Sequence, residues 1–128
     1  QAGISYAIYD GQDLVIELKQ EIRTFFEVNP DVDGICAHTD FIALDILEVL
    51  EEMKRNVPEE VQIIGCDGIK MESGRRQIVS TIRQSVDLMA KAAVEKIIQV
   101  IDGESVRTKI TLPVHYVEGP TTKNKMSK

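Results

Sequence analysis

Residues 61–69 read Val61-Gln62-Ile63-Ile64-Gly65-Cys66-Asp67-Gly68-Ile69. An apolar run this short, bounded by Pro58 and Gly68, is too brief for a helix, and its β-branched residues favour a strand. A nearly continuous apolar run suits a strand buried on both faces of a parallel sheet. The glycine, carboxylate and second glycine that follow suit a strand whose C-terminal edge opens into a ligand crevice. Gly65 and Gly68 let the backbone turn sharply and approach a ligand closely. Two readings of Asp67 stand at this point. It either caps the turn after the strand or presents its oxygens to a ligand, since an acceptor-only side chain is expensive to bury without donors.

Working outward, residues 34–38 (Gly-Ile-Cys-Ala-His) form a second short apolar strand. Between the two strands lies a helix capped by Thr39 or Asp40, with Ala43, Leu44, Leu47, Leu50 and Met53 facing inward and Glu48, Glu51, Glu52, Lys54 and Arg55 outward. Upstream, Asp13 caps a helix carrying Leu14, Leu18, Ile22 and Phe25 at helical spacing, and Asn29-Pro30 ends it. Residues 4–9 precede it as a strand, closed by the Asp10-Gly11 turn. Strand, helix, strand, helix, strand is the alternation of a parallel α/β sheet.

Downstream, residues 69–76 are a polar loop over the strand tips, and 78–82 are again β-rich. Residues 87–101 form a helix whose stripe is Ala90, Ala93, Val94, Ile97, Ile98 and Ile101; Asp87 serves as its first-turn acid or cap, and Gly103 stops it. Ile110, Leu112, Val114 and Tyr116 then alternate with polar residues as a half-buried strand. Pro113 places that strand at an edge, because proline cannot donate to a ladder. A lobe over 1–119 followed by a flexible polar tail over 120–128 is the expected organisation.

Composition narrows the function. A 128-residue chain with 43% hydrophobic residues is one folded domain or one lobe of a larger one. A formal charge of −6 argues against this piece gripping nucleic acid by itself. No run approaches the roughly 18 consecutive apolar residues of a membrane span. Gln1-Ala-Gly-Ile-Ser-Tyr6 lacks an initiator methionine and a signal segment, so the chain reads as the middle of a longer protein. The two cysteines, Cys36 and Cys66, each lie in an apolar strand, as reduced core thiols of a cytoplasmic protein would.

Several pieces occur in a fixed order: His38-Thr39-Asp40-x-x-Ala43, Val57-Pro58-x-x-Val61-x-Ile63-Ile64-Gly65-x-Asp67, Ser80-Thr81-Ile82-x-Gln84, Ala90-x-x-Ala93, Leu112-Pro113 and Gly119-x-Thr121-Thr122. This series resembles the LacI/GalR family of bacterial transcription regulators over nearly the whole chain; within it, Cys66-Asp67-Gly68-Ile69 followed by Ser80-Thr81-Ile82-Arg83-Gln84 and the Val117-Glu118-Gly119 ending is most similar to sucrose- or ribose-type operon repressors of Gram-positive bacteria. The resemblance implies one three-layer, parallel-sheet α/β lobe of a periplasmic-binding-protein-like effector domain, with the N-terminal lobe absent. It further implies a small effector, a sugar or sugar phosphate, clamped between two lobes. The partners it implies are a second copy in a homodimer and operator DNA, bound only by a missing helix-turn-helix headpiece. No cofactor, metal or enzymatic activity is implied. A periplasmic sugar-binding protein of a transport system, which shares the fold, is the alternative.

By the same resemblance, Asp67 accepts hydrogen bonds from two sugar hydroxyls, and Gln84 reaches the ligand or braces Asp67. Thr39 stands where the family most often has asparagine before Asp40, so bidentate amide recognition is lost at that corner. Other chemistries find no support in the residues. Cys36, His38, Cys66 and Asp67 lack metal-ligand spacing, and Cys66 beside Asp67 has no imidazole nearby in sequence. Gly65-x-x-Gly68 lacks the longer spacing and the Lys-Ser/Thr pair of a phosphate loop. A receiver domain would need an acidic pair after its first strand, which Asp10 and Asp67 do not supply.

Overall fold

The computed structural model describes residues 15–69, 72–73, 76–107 and 109–123. The strand expected over 4–9, the Asp10-Gly11 turn and the Asp13 cap lie outside them. Helix α1 (Val15–Val28) leads into strand β1 (Gly34–Cys36), helix α2 (Asp40–Glu52) and strand β2 (Gln62–Asp67). A two-stranded hairpin, β3 (Glu72–Ser73) with β4 (Arg76–Gln77), occupies the segment expected to be a plain loop. Strand β5 (Ser80–Gln84) runs on two residues beyond the 78–82 expectation into helix α3 (Val86–Ile101), and β6 (Val114–Val117) ends the sheet.

The main sheet has the order β1-β2-β5-β6. β1, β2 and β5 are parallel, as the alternation requires, with Cys36 opposite Ile64 and Cys66 opposite Ile82. β6 is antiparallel to β5 and lies at the edge, directly after Pro113. Its side chains are mostly exposed instead of half-buried.

The core lies on one face, where α1 and α2 pack together over β2. Ile22 and Phe26 of α1 meet Ala43, Ile46, Val49 and Leu50 of α2 above Val61 and Ile63. Helix α2 is rotated slightly from the expected stripe: Ile46 and Val49 are buried, while Leu44, Leu47 and Met53 pack at the margin. Phe26, not Phe25, is the deep aromatic of α1; the two rings meet edge to face at 5.6 Å, and the Arg55 guanidinium lies over Phe26. Asn29 closes α1, its backbone and side-chain N–H groups both donating to Phe25 O.

The opposite face is thinly covered among the described residues. Cys36 is exposed and Cys66 only half-buried, so the thiols are not the core pair the sequence suggested. Both point away from the helical layer, because strand side chains alternate and β2 commits Val61, Ile63 and Gly65 to α2. Helix α3 buries no residue; Val94, Ile97, Ile98 and Ile101 are each more than half exposed. Gly103, at φ +77°, ends it as expected.

Residues 119–123 are fastened to the sheet. Ile63 N–H donates to Thr121 O, Thr121 Oγ1 donates to Ile63 O, and Ser80 N–H donates to Thr121 Oγ1, each at 2.8 Å. Thr121 is consequently buried between β2 and β5, and Lys123 N–H bonds Gln62 Oε1.

Candidate functional site

The C-terminal ends of β1, β2 and β5 bring the sequence-derived candidates to one edge of the sheet, where loops and helix starts leave the ladder. Asp67 is the last residue of β2 and has φ +104°, a backbone region L-residues rarely occupy. Gly68 follows at φ +71°, where a Cβ would stand 2.4 Å from Arg83 Cβ, so only glycine fits there. The ladder pairs Asp67 with Arg83, yet the Asp67 carboxylate bonds the next residue along β5: Gln84 Nε2 donates to Asp67 Oδ1 at 2.8 Å. The same amide nitrogen lies 3.9 Å from Cys66 Sγ. Of the two roles open to Gln84, the structure displays the brace.

Thr39 is the N-cap of α2, its hydroxyl oxygen accepting from Ile42 N–H at 3.2 Å. That settles the choice of cap, and it leaves Thr39 at the end of β1, half-buried, with no hydrogen bond to Asp67 or Gln84 among the described residues. Asp40, the other capping candidate, does something sequence reasoning missed. It is fully buried; Oδ1 accepts from the Thr81 hydroxyl and Oδ2 accepts from Ile69 N–H at 2.7 Å. Thr81 Oγ1 in turn accepts from Gly68 N–H at 3.2 Å. Gly65 makes room for this carboxylate, because a Cβ there would lie 2.3 Å from Asp40 Oδ1. The signal available in sequence was the pair Thr39-Asp40, two capping residues where one cap suffices.

Beside Gln84 a cleft of about 440 Å³ opens between the end of β5, the first turn of α3 and β6, lined by Arg83, Gln84, Ser85, Val86, Asp87, Leu88 and His115. Ser85 caps α3 by position alone, its hydroxyl donating to Pro113 O. Asp67, Gln84 and the cleft together offer acceptors, an amide and an apolar wall, a chemistry suited to a polyhydroxyl ligand. Cys66, a thiol at this edge, has an amide and not an imidazole as its polar neighbour. No group of three His, Cys, Asp or Glu side chains able to hold a metal ion occurs among the described residues.

Comparison with known proteins agrees with this geometry. The sequence profile of the periplasmic binding protein-like domain matches residues 3–122. The ribose operon repressor of Lactococcus lactis subsp. lactis (strain IL1403) is 32% identical over 110 residues, covering 85% of this chain and 34% of that protein. The ribose operon repressor of Bacillus subtilis (strain 168) is 32% identical over 120 residues, covering 93% of this chain and 35% of that protein. This chain thus spans about a third of the length of these curated relatives. Among solved structures, a LacI family transcriptional regulator from Arthrobacter sp. FB24, in complex with lactose, superposes with a TM-score of 0.77 at 27% identity, over 94% of this chain and 46% of that one. A strand-end carboxylate braced from the neighbouring strand, on a sheet of this order, is thus set in a sequence whose profile and relatives agree: the chain belongs to the periplasmic binding protein-like domain family, in the form carried by LacI-type regulators.

Proposed function

We propose that this chain is the C-terminal lobe, over residues 1–119 and the fastened segment to Lys123, of the effector-sensing domain of a LacI-type transcriptional repressor. Its effector is a sugar or sugar phosphate, and its operator DNA is bound by a helix-turn-helix headpiece outside this chain. The observation that carries the reading is Asp67: a carboxylate held at a strand tip by Gln84, which itself lines an open cleft. Gln84 occupies one of its oxygens and leaves further lone pairs for ligand hydroxyls, with the strength of bonds to a charged acceptor. Thr39, whose hydroxyl oxygen already accepts the cap bond from Ile42 N–H, keeps its hydroxyl proton free to donate to a ligand at the rim of the site. The lactose complex of the Arthrobacter regulator supports a sugar as effector. The ribose operon repressors among the relatives support a repressor over a transport protein, and with it a cytoplasmic, non-enzymatic role. In such a protein the effector biases the arrangement of two lobes, and that bias alters DNA affinity in a two-fold dimer.

The test is calorimetry on the full-length protein with D-ribose and lactose, followed by a thermal-shift screen of further sugars and sugar phosphates. A sugar that binds should lose roughly ten- to a hundred-fold in affinity on Asp67→Asn, while operator binding without effector persists. A lowered melting temperature with unchanged sugar affinity would show that Asp67 merely closes the turn.

A further inference from the structure

Two consecutive residues at the site, Asp67 at φ +104° and Gly68 at φ +71°, sit in left-handed backbone regions. An L-residue stays there only when its surroundings over-determine it. The restraint comes from the next two amides. Gly68 N–H is held by Thr81 Oγ1, and Ile69 N–H by Asp40 Oδ2. Asp40 is wholly buried and forms no salt bridge among the described residues, so each of its oxygens has a neutral donor, Thr81 O–H on one and Ile69 N–H on the other. A carboxylate can only accept. It therefore fixes the direction of the Thr81 hydroxyl proton and turns a lone pair of that oxygen toward Gly68 N–H. An amide at position 40 would present an N–H₂ group as readily as an oxygen and would reverse or release the chain of bonds. The space over Gly65 is filled by this carboxylate.

We infer that Asp40, acting through Thr81, is a positioning residue for ligand recognition: it pins the 67–69 turn and thereby aims the Asp67 carboxylate, which Gln84 steadies from the other side. This rests on the reading that Asp67 contacts the effector, so the test has one arm that needs no ligand. In the full-length protein, hydrogen exchange is followed over the peptide containing residues 67–69, and affinity for D-ribose and lactose is measured alongside. Asp40→Asn and Thr81→Val should each speed exchange in that peptide by about ten-fold or more, and Thr81→Ser, which keeps the hydroxyl, should restore it. The same two variants should weaken sugar binding, and Asp40→Asn combined with Asp67→Asn should bind no more weakly than Asp67→Asn alone, the non-additivity of groups acting in series. Unchanged exchange in both single variants, or affinity losses that simply add in the double variant, would overturn the inference. If neither sugar binds the unaltered protein, the choice of effector falls while exchange still decides whether Asp40 pins the turn. If Asp40→Asn does not fold, Thr81→Val carries the test.

Discussion

Gly65 has no room for a side chain. Because a methyl group there would stand 2.3 Å from the buried Asp40 carboxylate and 3.2 Å from Asp40 Cα, the strand or the helix start has to move to admit it. Gly65→Ala should therefore cost about 1–3 kcal/mol, the usual range for overpacking a core, as read by urea unfolding of the 128-residue chain. Gly34→Ala, where nothing lies within 4 Å, should change stability by no more than about 0.5 kcal/mol either way. At this scale sequence reading singled out Asp67 and Gln84, which the structure joins by a hydrogen bond, because a carboxylate after an apolar run and an amide at the end of the next strand are local patterns. It missed Thr81, because the partner that gives Thr81 its meaning, Asp40, lies 41 positions away and on a helix. It assigned Gly65 to ligand approach, when what approaches is the protein's own carboxylate.

Helix α3 shows where periodicity stops informing. Its apolar spacing gave its existence, its first-turn acid and its glycine stop within a residue, since these are set by neighbours one turn apart. The spacing says a stripe must be covered and says nothing of what covers it. In the described fold Val94, Ile97, Ile98 and Ile101 remain more than half exposed. An open apolar patch of several hundred Å² drives association in water, so the isolated 128-residue chain should form dimers or larger species by light scattering. Ile97→Lys with Ile98→Lys should return it to monomer and leave its melting temperature in place, because neither side chain is buried in the lobe. A chain that stays monomeric at high concentration without those changes would contradict this. β6 offers the converse lesson: Pro113 placed it at an edge correctly, but its antiparallel direction depends on the path taken after α3, which no local pattern encodes.

At the scale of the whole molecule, the proposed function makes the described chain one wall of a cleft. The parallel core β1-β2-β5 and its α1-α2 layer followed from the alternation of short apolar runs with amphipathic segments, whereas the thin cover of the opposite face did not. A sugar set against Asp67 and Gln84 alone keeps most of its surface in water, and binding owes its strength to enclosure. The isolated chain should therefore bind D-ribose and lactose with a Kd of about 1 mM or weaker by calorimetry, even where the full-length protein binds tightly. Micromolar affinity for the isolated chain would contradict the two-wall account. The clasp of Thr121 onto Ile63 and Ser80 bears on a different matter, the order of events during synthesis. Ile63 lies at the centre of the sheet and has its partner 58 positions later, so the middle of the lobe cannot be completed until almost all the rest has been made. A nascent chain halted on the ribosome before that threonine emerges would carry β2 and β5 with their lower ends unsatisfied. Such an intermediate would stay open to chaperones and proteases until Thr121 arrives, and a truncation before Thr121 would make that exposure permanent.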